Sequence, residues 1–159
     1  MAQIRIYDAA SCIGCRACEV ACVSAHDGDG PYIWVEDFAA VNGGKGPVPF
    51  SSRPSSIIHP PSFLPVSCTH GPEAECVKAC PTGAMHFDEA NVVLVNPKIC
   101  IGCKYCAMAC PYGVVDYNPK LKVVQKCDLC AARRADGLGP ACVATCPTGV
   151  IQLVDDLPR

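Results

Sequence analysis

Fifteen of the 159 residues are cysteine, and their spacing constrains this chain more tightly than its apolar pattern does. Cys12, Cys15, Cys18 and Cys22 form C-x2-C-x2-C-x3-C, and Cys100, Cys103, Cys106 and Cys110 repeat that spacing. Cys68, Cys76 and Cys80 form a gapped version, and Cys127, Cys130, Cys142 and Cys146 a stretched one. Pro81, Pro111 and Pro147 follow the last cysteine of three groups, where the ring fixes the turn and removes a backbone donor. Three thiolates set two residues apart can each take one corner of an iron–sulfur cubane, while the fourth points to a second cluster. Four groups imply four clusters, and four clusters imply electron transfer.

A disulfide-stapled secreted domain is the first alternative, since it too is cysteine-rich. Its signature differs in three respects. The cysteine count here is odd, the spacings are those of metal ligands, and Met1-Ala2-Gln3-Ile4-Arg5-Ile6-Tyr7 alternates like a strand where a secretory apolar region would lie. Structural zinc uses two ligand pairs across a loop, not three cysteines in step with a fourth and a proline. Half of the residues count as hydrophobic, but that figure includes the cysteines. The remaining apolar core is thin, so clusters are expected to carry much of the folding. A net charge of −2 provides no basic patch for nucleic acid and no general attraction to anionic membranes. Uninterrupted apolar runs of only a few residues are too short to span a bilayer. The expectation is a soluble, cytoplasmic protein, with export alongside a signal-bearing partner as the alternative.

The pattern predicts a strand over Gln3–Tyr7 and a short helix over Arg16–Ala25, with Cys18 and Cys22 on one face. From Asp27 to Pro65, Gly-Pro and Pro-Pro punctuation dominates, and only Tyr32-Ile33-Trp34-Val35 reads as a strand. A loop of that length is either a flexible insertion or a partner-binding surface, and a surface that meets another subunit is the preferred expectation. Met85–Phe87 and Val92–Val95 flank Asp88-Glu89-Ala90-Asn91 and predict a β-hairpin. Cys80-Pro81-Thr82-Gly83-Ala84 returns as Cys146-Pro147-Thr148-Gly149-Val150, followed by Ile151 and Leu153 in alternation, so two copies of one unit are expected.

The segments CIGCRACEVAC, CVKACPTGAMHFDE, CIGCKYCAMACPYG and CDLCAARRADGLGPACVATCPTG resemble the four motifs of polyferredoxin-type electron-transfer subunits. Such subunits accompany molybdenum or tungsten pterin oxidoreductases of the dimethyl sulfoxide reductase and formate dehydrogenase types. The small ferredoxin subunit of tungsten aldehyde oxidoreductases is also similar. The resemblance covers the whole sequence apart from Asp27–Pro65. It implies an α+β fold of two nested bacterial-ferredoxin-like units stabilised by their clusters: residues 1–26 with 115–159, and residues 67–114, separated by an insertion at 27–66. It also implies that cysteines cross between paired motifs. One cluster then takes Cys12, Cys15, Cys18 and Cys146, a second Cys22, Cys127, Cys130 and Cys142, and a third Cys80, Cys100, Cys103 and Cys106.

The fourth set departs from the family pattern. Motif two in the family is C-x2-C-x4-C-x3-C-P, and Gly71 stands where its second cysteine would be, leaving Cys68, Cys76 and Cys110. Three thiolates suit a [3Fe–4S] cluster. His70, one residue away, could instead complete a [4Fe–4S] cube with a nitrogen, as imidazole does in Rieske centres, or solvent or a carboxylate could. Each option removes a thiolate's charge and predicts the highest potential of the four. Arg16 and Lys104 lie between ligands and are weighed as charges near the clusters against solvated side chains. Tyr105, Tyr112 and Trp34 read as core or interface aromatics. Arg133-Arg134 offers part of a docking face, and His26, His59 and His86 have no ligand spacing.

The functional expectation is a non-catalytic relay of single electrons between a molybdenum or tungsten pterin catalytic subunit and a second redox subunit or carrier. No nucleophile–base pair or phosphate loop appears, and all fifteen cysteines are expected as ligands. A free polyferredoxin, an assembly factor and an enzyme using an open cluster corner as a Lewis acid are the alternatives. Self-association that passes electrons between copies is a further expectation.

Overall fold

Eight short strands, five short helices and one 3-10 turn make up a small mixed α/β fold in the computed structural model, which describes residues 3–6, 9–37 and 63–154. Tyr7, His59 and most of the Gly/Pro-rich insertion, residues 38–62, lie outside the described residues. In sequence order these are β1 (Gln3–Ile6), the 3-10 turn Ala9–Ser11, α1 (Ala17–Ala25), β2 (Ile33–Asp37) and β3 (Phe63–Ser67). Then come α2 (Glu75–Lys78), β4 (Met85–Phe87), β5 (Val93–Val95), α3 (Tyr105–Ala109), β6 (Asp116–Asn118) and β7 (Val123–Gln125). The last three are α4 (Ala131–Ala135), α5 (Ala141–Thr145) and β8 (Ile151–Val154).

Every described sheet is an antiparallel pair: β1 with β8, β2 with β3, β4 with β5, and β6 with β7. Pairing of Ile4 with Leu153 and Ile6 with Ile151 brings the two ends of the described fold together. The β4–β5 hairpin stands where the alternation predicts it. Its turn is closed by Asp88, whose carboxylate accepts from the Val92 N–H at 2.7 Å, with Asn91 in the left-handed region.

Two elements differ from the expectations. The insertion is not rooted in irregular backbone, because β2 runs on to Asp37 and pairs with Phe63–Ser67, across Ile33↔Ser67 to Asp37↔Phe63. Pro65 is a local signal against that strand, yet proline is tolerated where only one edge is paired. The second is the β6–β7 hairpin, whose Asn118-Pro119-Lys120 turn is held by Asn118 Oδ1 accepting from Lys120 N at 3.0 Å and Leu121 N at 3.1 Å. It packs on the third cysteine motif. A side chain at Gly102 would meet the Lys122 carbonyl oxygen at 2.6 Å, and Gly102 has φ +67°. Gly14 repeats this in the first motif, where φ is again +67° and the Phe63 ring of β3 lies 2.7 Å from a Cβ position. Glycine is required at both places by conformation and by space.

Helices of four to nine residues are far below the ~12–15 needed for stability alone, and two-stranded hairpins are marginal in water. Their stability must come from packing. One core gathers Ile4, Ile33, Val35, Leu129 and Ile151 around Cys18, Cys22, Cys68, Cys127 and Cys142. A second gathers Met85, Val93, Val115 and Val124 around Cys76 and Cys106. Sulfur is part of both interiors.

Candidate metal centres

All fifteen cysteines are described, and none is joined to another sulfur. The fold sorts them into four neighbourhoods. Cys12, at the end of the 3-10 turn, Cys15, Cys18 of α1 and Cys146, just past α5, line one cavity. Cys80, Cys100, Cys103 and Cys106 line another. Cys68, Cys76 and Cys110 line a third, of about 270 Å³, together with His70 and Gly71. Cys22, Cys127, Cys130 and Cys142 are all buried, and the charges of Cys130 and Cys22 add to burial in pushing the Cys142 thiol up to about 12.

Backbone conformation builds these neighbourhoods. Arg16, Lys104, Leu129 and Cys130 adopt left-handed φ values of 57°, 65°, 57° and 51°, each within two residues of the start of a helix. Backbone N–H groups, at one of these bends and elsewhere, donate to sulfur. Leu129 N donates to Cys127 Sγ at 3.4 Å, Met85 N to Cys80 Sγ at 3.4 Å and Tyr32 N to Cys22 Sγ at 3.3 Å. The repeated Cys-Pro-Thr-Gly segments act alike, with Thr82 Oγ1 3.7 Å from Cys80 Sγ and Thr148 Oγ1 3.8 Å from Cys146 Sγ. Burial raises the thiol pKa at both cysteines, but the combined hydrogen bonds outweigh it and leave each below its ordinary value. Such donors favour the thiolate that a metal requires.

The four neighbourhoods form a series. Cys18 and Cys22 lie one turn apart on α1, which joins the first two groups. Cys127 feels the charge of Cys68, and Cys76 that of Cys106, linking the second group to the third and the third to the fourth. Cys15 and Cys103 are exposed and belong to the first and last groups, whereas the second is wholly buried. The ends of the series reach the surface.

His70 is 1% exposed, and its Nδ1 accepts the Val93 N–H at 3.1 Å. Burial, reinforced by the Lys126 charge, lowers its pKa to about 2, so the ring is neutral. A neutral ring that accepts through Nδ1 carries its proton on Nε2. In this arrangement the nitrogen lone pair is directed at Val93.

The sequence pattern gives His26 no role, but the fold gives it one. Nδ1 donates to the Cys22 carbonyl at 2.7 Å and Nε2 to Asp128 Oδ1 at 3.0 Å, so both ring nitrogens bear protons. The Asp128 and Cys22 hydrogen bonds raise the His26 pKa. Although burial pushes Asp128 up, His26 and the backbone donors bring it well below the carboxylate range. Donor atoms of His26, Asp128 and Cys130 lie within 4.8 Å of one another, but a doubly protonated ring offers no lone pair to a metal ion. Asp128 also accepts from Cys130 N at 2.8 Å and Ala131 N at 3.2 Å, capping α4. Asp128→Ala is expected to lower the stability of the iron-loaded protein by about 1–2 kcal/mol. Anaerobic thermal unfolding reads this, and an unchanged midpoint would remove the capping role.

The other candidates have local partners. Arg16 pairs with Glu19 at 3.2 Å, and Lys104 lies 4.1 Å from the centroid of the Tyr117 ring. Arg134 meets Asp88 at 3.6 Å and Arg133 donates to the Gly139 carbonyl at 3.1 Å, so both arginines are tied into the fold. Trp34 donates to Glu36 at 3.4 Å, while Tyr105 and Tyr112 are exposed.

Residues 61–156 match the model of the 4Fe-4S dicluster domain. The protein belongs to that family. It is 38% identical to the probable anaerobic dimethyl sulfoxide reductase chain YnfG of Escherichia coli K12, over 91% of its own length and 69% of the relative's. It is 39% identical to the thiosulfate reductase electron transfer subunit PhsB of Salmonella typhi, over 94% and 73%. A second anaerobic dimethyl sulfoxide reductase subunit of Escherichia coli K12 matches at 37%, again over 94% and 73%. As a member of this family the protein is an iron–sulfur electron-transfer protein, and its relatives carry the names of reductase components and of an electron transfer subunit. Among the described residues no helix is long and apolar enough to cross a membrane.

Proposed function

We propose that this protein relays single electrons through four iron–sulfur clusters between the catalytic subunit of a reductase and a second redox partner. The observation that carries this reading is the gathering of fifteen cysteines into four groups in series, with exposed members only in the first and last. Cys12, Cys15, Cys18 and Cys146 hold the first cluster, Cys22, Cys127, Cys130 and Cys142 the second, and Cys80, Cys100, Cys103 and Cys106 the last. Cys68, Cys76 and Cys110 hold a [3Fe–4S] cluster. His70 is its neighbour and not its ligand, because Val93 N–H occupies Nδ1 and leaves Nε2 as a donor. When bound, the clusters supply one-electron redox chemistry; the polypeptide sets their spacing, burial and hydrogen bonds.

Two nested ferredoxin-like units, residues 1–26 with 115–159 and residues 67–114, are part of this reading, and the pairing of Gln3–Ile6 with Ile151–Val154 supports it. The catalytic partner is a reductase subunit of the kind served by the dimethyl sulfoxide and thiosulfate reductase relatives, a molybdenum or tungsten pterin protein as the family resemblance implies. Anaerobically purified protein should contain about fifteen irons per molecule and give an oxidised three-iron EPR signal. It should also co-purify with that catalytic subunit when the two are co-expressed. Fewer than about eight irons after reconstitution, or zinc in their place, would overturn the four-cluster reading.

A further inference from the structure

Lys126 is 5% exposed, and among the described residues it is the only buried lysine, arginine or carboxylate. Its ammonium donates to the Val93 carbonyl at 2.5 Å and to the Cys127 carbonyl at 2.6 Å. Both partners are neutral, and among the described residues Lys126 makes no ion pair. A charge withdrawn from water in this way needs a compensating charge close by. The nearby ion pairs are already internally balanced, His26 with Asp128 and Arg134 with Asp88.

The surroundings of Lys126 indicate where that compensation lies. Its ammonium holds the carbonyl of Cys127 in one group, and its other partner, Val93, lines the cavity of Cys68, Cys76 and Cys110 in another. Val93 ties the two groups together. Its N–H donates to His70, beside the Cys68/Cys76/Cys110 group, while its carbonyl accepts from Lys126, beside the Cys22/Cys127/Cys130/Cys142 group. One peptide segment at the start of β5 therefore fixes the cation between the two inner sites.

We propose that Lys126 is a positioning residue for electron transfer, a buried positive charge held between the two inner sites that raises both their midpoint potentials relative to the outer two. Reduction of an inner site adds one electron, supplied by the neighbouring site, which is oxidised in the same step. No proton transfer is part of the step. The fixed cation stabilises the extra negative charge at either inner site, so an electron entering from an exposed end is drawn inward.

This inference rests on the four-cluster reading, and the iron content of the wild-type protein tests that reading separately. The experiment is EPR-monitored redox titration of fully loaded wild-type protein beside Lys126→Gln, Lys126→Met and Lys126→Arg. Both neutral variants should show a downward shift at the two inner sites and unchanged outer sites, with Lys126→Arg restoring the inner values. Unchanged potentials at all four sites, or equal shifts at inner and outer sites, would overturn the proposal. If neither neutral variant holds its inner clusters, retention of wild-type potentials by Lys126→Arg supports the need for charge. Equal cluster loss in Lys126→Arg contradicts it.

Discussion

The Gly71→Cys variant is expected to gain one iron per molecule and to lose the oxidised three-iron EPR signal. Gly71 lines the same cavity as Cys68, Cys76 and Cys110, at the point where a C-x2-C motif would place its second sulfur. A Cβ there would meet only Thr69 Oγ1, at 3.9 Å, an ordinary contact, and the backbone is outside the left-handed region that disfavours side chains. The substitution therefore carries little steric cost and supplies the missing thiolate. Iron should rise from about fifteen to about sixteen, and the potential of that site should fall because a fourth negative ligand disfavours reduction. Retention of about fifteen irons with an unchanged three-iron signal would show that a residue other than Gly71 decides the nuclearity. A wild-type count already at about sixteen without the signal would bring a non-cysteine fourth ligand back into question.

The cysteine groups and the elements bound to them are legible in the sequence because each depends on short-range spacing. The β4–β5 hairpin needs only its alternation and the Asp88–Asn91 turn, and α1 needs only Cys18 and Cys22 four residues apart. What escapes a local reading depends on distant partners. Phe63–Ser67 becomes a strand by pairing with Ile33–Asp37 across the insertion, against the local signal of Pro65. His26 finds Asp128, 102 residues away, and Lys126 finds the Val93 carbonyl, 33 residues away. Lysine is ordinarily exposed, so nothing in Gln125-Lys126-Cys127 marks this one as buried. The polar residues that surround the inner sites are thus products of the fold, whereas the ligands are written in the local sequence.

That division has an electrostatic logic. The left-handed bend at Leu129 places its N–H on the Cys127 sulfur two residues away. Among the described residues a net charge reaches the interior only at Lys126, where tertiary packing encloses it, while the His26–Asp128 pair is balanced and only partly buried. Local geometry prepares thiolates, and long-range packing adjusts the field between the inner groups.

Removal of iron under reducing, anaerobic conditions is expected to abolish cooperative unfolding. Cys18, Cys22, Cys68, Cys76, Cys106, Cys127, Cys130 and Cys142 are buried core residues, so the groups that bind iron are also a large part of the interior. No described helix or hairpin is long enough to persist alone, and one cavity brings together cysteines as distant in sequence as Cys12 and Cys146. Burial pushes the thiol pKa of Cys127 well above its ordinary value, that of Cys142 to about 12 and that of Cys76 to about 11. A raised thiol pKa favours the protonated form, so protons compete strongly with iron at these sulfurs and release should accelerate as pH falls. Far-UV circular dichroism and hydrodynamic radius should change together as iron is chelated, with an expanded polypeptide at the end of the titration. A stripped protein that keeps a sharp thermal transition at the wild-type midpoint would show that the apolar residues alone hold the fold, and the clusters would then be passengers in it.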